Sequence, residues 1–317
     1  MKKLLILIVI GGVSFFSFAK EKFSKALTNY MMGLLCEKQN SLNEAEVYFK
    51  KAKKLDPDSE SVRLNLAKVY LLKGEFKKAE KELKLIKKKF PSNLEAKFLL
   101  VLLYIKQNKK EAAESEYEEL LENIHHLRPE EVEICLSLAN VYLDKKNYKG
   151  AENVLKETLK KNPDNEDLLY FLGYVYYEEG KVNKAIAIWK KVLKINPNHS
   201  DSLNSLGYTY AEQGINLKEA LVLIKKALKL SPKNGAYLDS LGWVYFKKKE
   251  YQKALKYLKK AIKYLEDPVI YEHLGDVYFE LKDYKKAEFF WKKSLELKET
   301  EIVKEKIKKI KCILKKR

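Results

Sequence analysis

Gly235-Ala236-Tyr237-Leu238-Asp239-Ser240-Leu241-Gly242-Trp243-Val244-Tyr245 is the stretch that decides the fold, because its landmarks recur along the whole chain at one period. Twelve residues after Gly242 stands Ala254, four residues later the bulky Leu258, and then Pro268. Outward from this copy, the small residue reappears at Gly33, Ala67, Ala139, Gly173, Gly207 and Gly275. Three residues after it comes Tyr70, Tyr142, Tyr176, Tyr210, Tyr245 or Tyr278, while Val101 and Tyr104 take these places in the third copy. The alanine recurs at Ala45, Ala79, Ala113, Ala151, Ala185, Ala220 and Ala287, followed by bulky groups such as Phe49, Trp189 and Trp291.

All seven prolines keep the same time: Pro57, Pro91, Pro129, Pro163, Pro197, Pro232 and Pro268 are spaced by 34, 38, 34, 34, 35 and 36 residues. Proline breaks a helix interior and is tolerated at a helix start, so a recurring proline marks the turn between like units. Where a small residue on one helix faces alanine on the next, the two backbones approach closely and the tyrosine and bulky group fill the space beside them. Eight copies follow, at 26–59, 60–93, 94–127, 132–165, 166–199, 200–234, 235–267 and 268–301, each reading as two antiparallel helices. Residues 128–131 are extra, Gly214-Ile215-Asn216-Leu217 lengthens the sixth turn by one residue, and Cys36 replaces the tyrosine of the first copy. At the ends, residues 20–25 read as a frayed lead-in. Ile302, Ile307, Ile310, Ile313 and Leu314 predict a capping helix over 302–317 that closes the open end of the stack.

This pattern of Leu-Gly, Tyr, Ala, bulky residue and Pro resembles the tetratricopeptide repeat (TPR) family over about residues 26–301. The resemblance implies an all-α TPR solenoid, a right-handed superhelix of about eight helix-turn-helix repeats. The run from Leu206-Gly207-Tyr208-Thr209-Tyr210 to Ala220, with Gly235 to Tyr245, is similar to the last repeats of bacterial cell-envelope TPR adaptors. Lipoprotein partners of carboxy-terminal processing proteases belong to that group. The similarity implies a non-catalytic adaptor or assembly scaffold, although no lipidation cysteine follows the leader.

In TPR proteins the first helix of each copy lines a concave groove, and its second, fifth, ninth and twelfth residues point inward. Carried onto the last four copies, this frame gives Asp167, Tyr170, Tyr174 and Tyr177, then Asp201, Asn204, Tyr208 and Ala211. It continues with Ala236, Asp239, Trp243 and Phe246, then Val269, Glu272, Asp276 and Phe279. No cation appears among these sixteen positions, although the chain carries a net charge of +19. An acidic, aromatic lining suits a protein or peptide ligand that is basic or amide-rich with aromatic or apolar anchors. The earlier copies read as greasier, with Leu64, Leu71, Phe98, Leu102, Ile105, Leu136 and Leu143 on the inner frame, to be filled by the lead-in or by a partner helix. The lysine, asparagine and arginine clamp by which some TPR proteins hold a terminal carboxylate is missing: Lys68 is the only inner lysine, and Asn65, Asn140 and Asn204 are scattered.

Charge and address complete the reading. Arg63, Arg128 and Arg317 are the only arginines, so the excess cations are lysines interspersed with glutamate, as between Lys77 and Lys84. Lysine so placed reads as solvated helix surface, whereas nucleic-acid readers rely on arginine for bidentate contacts, and no nucleic-acid partner is expected. The alternative function is a basic surface that binds acidic lipid, cell-wall polymer or nucleic acid through outer-face lysines. Met1-Lys2-Lys3, the apolar run 4–18 and Ser17-Phe18-Ala19 predict a signal peptide, or else a short membrane anchor, over residues 1–19. Export to the periplasm or the outer face of the inner membrane follows, with an envelope protease or assembly complex as partner. Cys36, Cys135 and Cys312 lie too far apart in a repeat stack to pair, and read as free thiols. Neither a phosphate-binding glycine loop nor a nucleophile elbow occurs; His125-His126 could ligate a metal with Cys135 or a nearby glutamate but lie in the irregular stretch after the third copy, and His199 and His273 show no partner constellation. No catalytic residue, metal or cofactor is therefore expected.

Overall fold

The computed structural model describes residues 20–310 with their side chains, and residues 2–19 and 311–315 by backbone alone. The side chains behind the leader reading at 1–19, with Cys312, Ile313 and Leu314, lie outside the described residues. Among the described residues no helix is long and apolar enough to cross a membrane.

The described residues form seventeen α-helices and no strand, and the chain divides into two compact units, Met1–Pro129 and Glu130–Arg317. The first unit contains α1 (Lys2–Lys38), α2 (Leu42–Leu55), α3 (Glu60–Leu72), α4 (Phe76–Lys89), α5 (Leu94–Lys106) and α6 (Lys110–Leu127). The second begins with α7 (Val132–Asp144), α8 (Tyr148–Leu159), α9 (Glu166–Glu178), α10 (Val182–Ile195), α11 (Ser200–Glu212) and α12 (Leu217–Leu230). It ends with α13 (Gly235–Lys247), α14 (Tyr251–Ala261), α15 (Pro268–Glu280), α16 (Tyr284–Leu297) and α17 (Glu301–Lys315).

The proline clock works through a cap placed two residues behind it. Ser59, Asn93, Asn165, His199 and Asn234 follow Pro57, Pro91, Pro163, Pro197 and Pro232, and each side chain accepts the backbone N–H three residues on. Each such bond satisfies one of the orphan donors of a helix start, an effect of about 1 kcal/mol. At α15 the device differs: Asp267 caps Val269, and Pro268 opens the helix. Within each helix pair the turn passes through one residue in the left-handed region: Asn40, Gly74, Asn108, Lys146, Gly180, Gly214, Lys249 or Lys282. The extra residue of the sixth turn appears as a second left-handed position, Asn216.

Small-on-bulky packing fuses the two helices of a pair. In the first unit Cys36, Ala45, Phe49, Leu66, Val69, Tyr70 and Ala79 form one buried cluster. A second cluster holds Leu64, Ala67, Leu83, Ile86, Leu100, Leu103 and Tyr104. In the second unit Trp189 is fully buried against Gly173, where an added Cβ would fall 2.5 Å from the indole Nε1. Burial of such a side chain stabilises the pair by about 1.5–3 kcal/mol.

The structure corrects three expectations. Residues 20–25 are helical and continuous with α1, because nothing in their sequence breaks the helix that follows. Leu64 belongs to the core cluster and not to an inner lining. In α17 the buried residues are Val303, Ile307 and Ile310, packed on the α16 side, while Ile302 is 66% exposed. The apolar stripe of α17 therefore starts one residue later than its isoleucines suggested.

Candidate functional site

The first helices of the second unit carry the residues of interest, and their one-turn spacing sets side chains from α9, α11, α13 and α15 in a row. Some of them face solvent: Asp167 and Asp201 are exposed, and Tyr174 is 38% exposed. Tyr170, Tyr177, Asn204, Tyr208, Phe246, Glu272, Asp276 and Phe279 are half-buried. Asp239 and Trp243 are not open contact points, with exposures of only 6% and 7%. Neighbouring helices have closed over them, so they form the wall of the face rather than its surface.

What closes over them is a constellation centred on His273, which carried no signal in the sequence. His273 Nδ1 lies 2.9 Å from Asp239 Oδ1, and the imidazole stacks on the Trp243 indole with ring centres 3.9 Å apart. Trp243 stacks in turn on Phe246 at 4.6 Å, and its Nε1 donates to Glu212 Oε1. Burial alone would depress the His273 pKa, but the Asp239 carboxylate outweighs it and holds the imidazole above its ordinary value. A stacked imidazole paired with a carboxylate thus ties α13 to α15 across a 34-residue separation that equals one repeat.

A cation also reaches the acidic lining, in contrast to the cation-free frame read from the repeats. Lys306 of α17 places Nζ 2.7 Å from Glu272 Oε1 and 2.7 and 2.8 Å from the two Asp276 oxygens. The same ammonium sits 5.8 Å from the Trp291 ring centre, and Lys309 sits 5.6 Å from Phe279. Burial raises the Asp276 pKa, with Lys306 opposing the rise. The capping helix stands outside the repeat, so the repeat frame could not reveal it.

Toward α9 and α11 the cation is Lys247 of α13, whose Nζ donates to the Glu212 backbone oxygen at 3.3 Å and lies 4.9 Å from the Trp243 ring centre. A cavity of about 420 Å³ is lined by Tyr177, Glu178, Val182, Thr209, Glu212 and Gln213. Tyr174 is pushed up to about 12, first by burial and then by Glu178. Tyr177 and Tyr208 are raised by burial, with Glu212 the leading charge. Other polar groups of the row are engaged locally: Tyr237 donates to Asp201 Oδ1 at 2.5 Å, and His199 Nε2 lies 3.7 Å from Asp167.

The first unit presents a different face. Phe98, Val101, Leu102, Tyr104, Ile105, Ala113 and Tyr117 surround an apolar cavity of about 650 Å³. Phe98, Leu102 and Ile105 are exposed there and Leu71 is half-buried, while Leu136 and Leu143 are half-buried in the second unit. Lys68, the inner lysine, pairs with Glu95 at 2.5 Å. Cys36 and Cys135 are buried free thiols, raised in pKa by burial. No group of three or more His, Cys, Asp or Glu with metal-binding geometry occurs among the described residues.

Profiles described as tetratricopeptide repeat match residues 38–91, 118–168 and 142–207, with a second such profile at 94–123. A profile described as anaphase-promoting complex, cyclosome, subunit 3 matches 213–294. No curated protein matches. Among solved structures, the APC/C hetero-tetramer Cut9-Hcn1 aligns with a TM-score of 0.57 at 18% identity, over 85% of this chain and 52% of that one. A tetratricopeptide repeat protein from Parabacteroides merdae aligns with a TM-score of 0.49 at 16% identity, over 90% and 99%. The thermophilic TPR protein TTC0263 of Thermus thermophilus gives 0.49 at 23% identity, over 56% and 96%. With its helix pairs joined by small-on-bulky packing at a 34-residue spacing, the chain belongs to the tetratricopeptide repeat family, an all-α scaffold fold for protein interaction.

Proposed function

We infer that this chain is a non-catalytic adaptor that holds an extended segment of a partner protein along α9, α11, α13 and α15 of its second unit. One observation carries the reading: aromatic rings and carboxylates stand in register on four successive first helices, with Asp167, Tyr174 and Asp201 open to solvent. Rigid amphipathic rings supply contact area at low entropic cost, and the carboxylates favour a basic or amide-rich segment. The wall of Trp243, His273 and Asp239 supports that row without touching the ligand.

The basic head and apolar run at 1–19 support an envelope setting for this adaptor, exported or tethered, with an envelope protease or assembly complex as its partner. The lysine surface is the weaker alternative, because many lysines are already engaged, such as Lys87 with Glu116 and Glu119 at 2.8 and 2.6 Å.

The test is affinity capture from the native host with the unaltered chain and with Tyr174→Ala combined with Tyr177→Ala. Both side chains lie on α9 outside the fully buried core, so helicity by circular dichroism should persist while specific partners are lost. Equal recovery of the same partners by both forms would refute the row as the binding face. The amino-terminal peptide in the same mass spectra reports whether Ala19 is the last residue of a removed leader.

A further inference from the structure

We propose that the outer face of α10, α12 and α14 docks on a bilayer surface rich in anionic lipid headgroups. This face lies on the other side of the helix pairs from the row of Tyr174 and Asp201, and the proposal does not depend on what that row binds.

Charge is not spread evenly over the second helices of the repeats. Each of α10, α12 and α14 carries four lysines, and the three together carry one carboxylate, Glu219. By contrast α8 has two lysines and two glutamates, and α6 has one lysine against six glutamates. The basic patch therefore belongs to three consecutive second helices of one unit, and not to a lysine-rich chain as a whole.

Packing turns these lysines outward. The first helices α11, α13 and α15 pack on one another, while α10, α12 and α14 each pack on first helices. In those seams α10 buries Ala185, Trp189 and Val192, and α12 buries Ala220, Ile224 and Ala227. Eleven of the twelve lysines are exposed, and Lys226 is half-buried. Among the described residues only two of the twelve have a carboxylate in salt-bridge reach: Lys191 has Asp164 at 3.8 Å and Lys253 has Glu250 at 2.6 Å. Lys184, Lys190 and Lys259 lie over Tyr176, Tyr210 and Tyr278, which orients the ammonium groups without neutralising them. The first unit differs, because Lys78, Lys84, Lys87 and Lys89 of α4 each pair with a carboxylate. An unneutralised patch of one sign sets up a field that draws in a surface of the other sign.

Three features select a lipid surface over other polyanions. All the cations of the patch are lysines, point charges that suit headgroup phosphates, whereas nucleic-acid readers rely on the planar fork of arginine. The rings of these helices are turned into the packing and do not form a platform for bases. Trp189 is fully buried, Tyr257 stacks on Tyr245 with ring centres 5.4 Å apart, and Tyr251 packs on Phe246 at 5.8 Å. Apolar side chains stand among the lysines: Val222 is 67% exposed, and Ile195 and Leu230 are exposed beside Lys194 and Lys229. Such side chains gain nothing from a phosphodiester backbone, but they enter the acyl boundary while neighbouring lysines hold the headgroups.

The test is a footprint of the full chain on equimolar phosphatidylethanolamine and phosphatidylglycerol vesicles and, separately, on phosphatidylcholine vesicles. Lysines are acetylated with N-hydroxysuccinimidyl acetate and read by mass spectrometry. On the anionic vesicles Lys194, Lys225, Lys229 and Lys260 should react at least about fivefold more slowly than in solution, and Lys54, Lys77, Lys81 and Lys88 of the first unit should not change. The footprint reports which face meets the lipid however the chain reaches the vesicle, insertion of residues 1–19 included. Lys194→Gln, Lys225→Gln, Lys229→Gln and Lys260→Gln together should lower the preference for anionic over neutral vesicles by at least about tenfold, and added salt should do the same to the unaltered chain. Lys54→Gln, Lys77→Gln, Lys81→Gln and Lys88→Gln change the net charge equally and should lower that preference far less. All eight positions are exposed and glutamine is a good helix former, so circular dichroism should be unchanged in both variants. Equal losses in the two variants, or equal protection of both sets of lysines, would reduce the effect to net charge and overturn the proposal. The same protection on phosphatidylcholine as on phosphatidylglycerol would also overturn it. If the first variant instead loses binding to a labelled DNA duplex while its vesicle binding stays as it was, the face binds nucleic acid and the lipid assignment falls.

Discussion

His273 Nδ1 and Asp239 Oδ1 lie 2.9 Å apart with both side chains buried, one repeat apart in sequence and on adjacent first helices. The His273 pKa is raised in the fold above the ordinary histidine value, so the proton is held more tightly in the native than in the unfolded state. The contribution to stability is therefore fully present below the unfolded value and is lost as pH rises through the folded one. Thermal midpoints taken from pH 6 upward, a window set about the usual histidine range, should fall in the parent. His273→Gln should remove that component of the slope, and identical slopes would contradict it.

Removing one partner of this pair should cost more than removing its titration. Asp239→Ala leaves a buried imidazole without its acceptor, and a loss of about 3–5 kcal/mol is expected for such a broken pair. Denaturant titration measures it. A loss below about 1 kcal/mol would mean that the Trp243 stack, not the carboxylate, holds His273 in place.

Lys306→Met should loosen α17. The lysine makes three bonds of 2.7–2.8 Å to Glu272 and Asp276, whereas the helix otherwise rests on Val303, Ile307 and Ile310. Hydrogen exchange of amides in 301–310 should accelerate by at least about tenfold, the equivalent of one charge-assisted bond. Exchange in α9 and α11 should not change.

Lys249→Gly should stabilise the seventh turn. Lys249 holds φ of 61° with an exposed side chain, a conformation that glycine adopts without a Cβ penalty. The expected gain is about 0.5–1 kcal/mol, read as a shift of the denaturation midpoint. Gly173→Ala should have the opposite sign. Its new Cβ would lie 2.5 Å from Trp189 Nε1, and overpacking of this kind costs about 1–3 kcal/mol.

The apolar cavity of the first unit should bind a hydrophobic dye. Phe98 and Ile105 are exposed on its rim, and Ile105→Lys should cut the fluorescence of bound anilinonaphthalene sulfonate by half or more. An unchanged signal would place the dye elsewhere.

The helices and their pairing were legible in the sequence because each depends on residues within one repeat, whereas the caps behind the prolines went unread although they are equally local. Proline and a cap two residues later start a helix, a left-handed residue turns it, and Gly173 must face Trp189 for the pair to close. The candidate face was legible only as a set of positions. Helical periodicity assigns Asp239, Trp243 and Tyr174 to equivalent sides of their helices, yet Trp243 is nearly enclosed and Tyr174 is open. The difference arises from the neighbour across the stack: α15 supplies His273 to cover Trp243. In the same way α17, which lies outside the repeat, brings Lys306 to two carboxylates that looked unopposed. Local chain geometry sets the direction of a side chain, but its exposure and charge partner are sums over helices 30 or more residues away. Those sums exist only once the helices have packed.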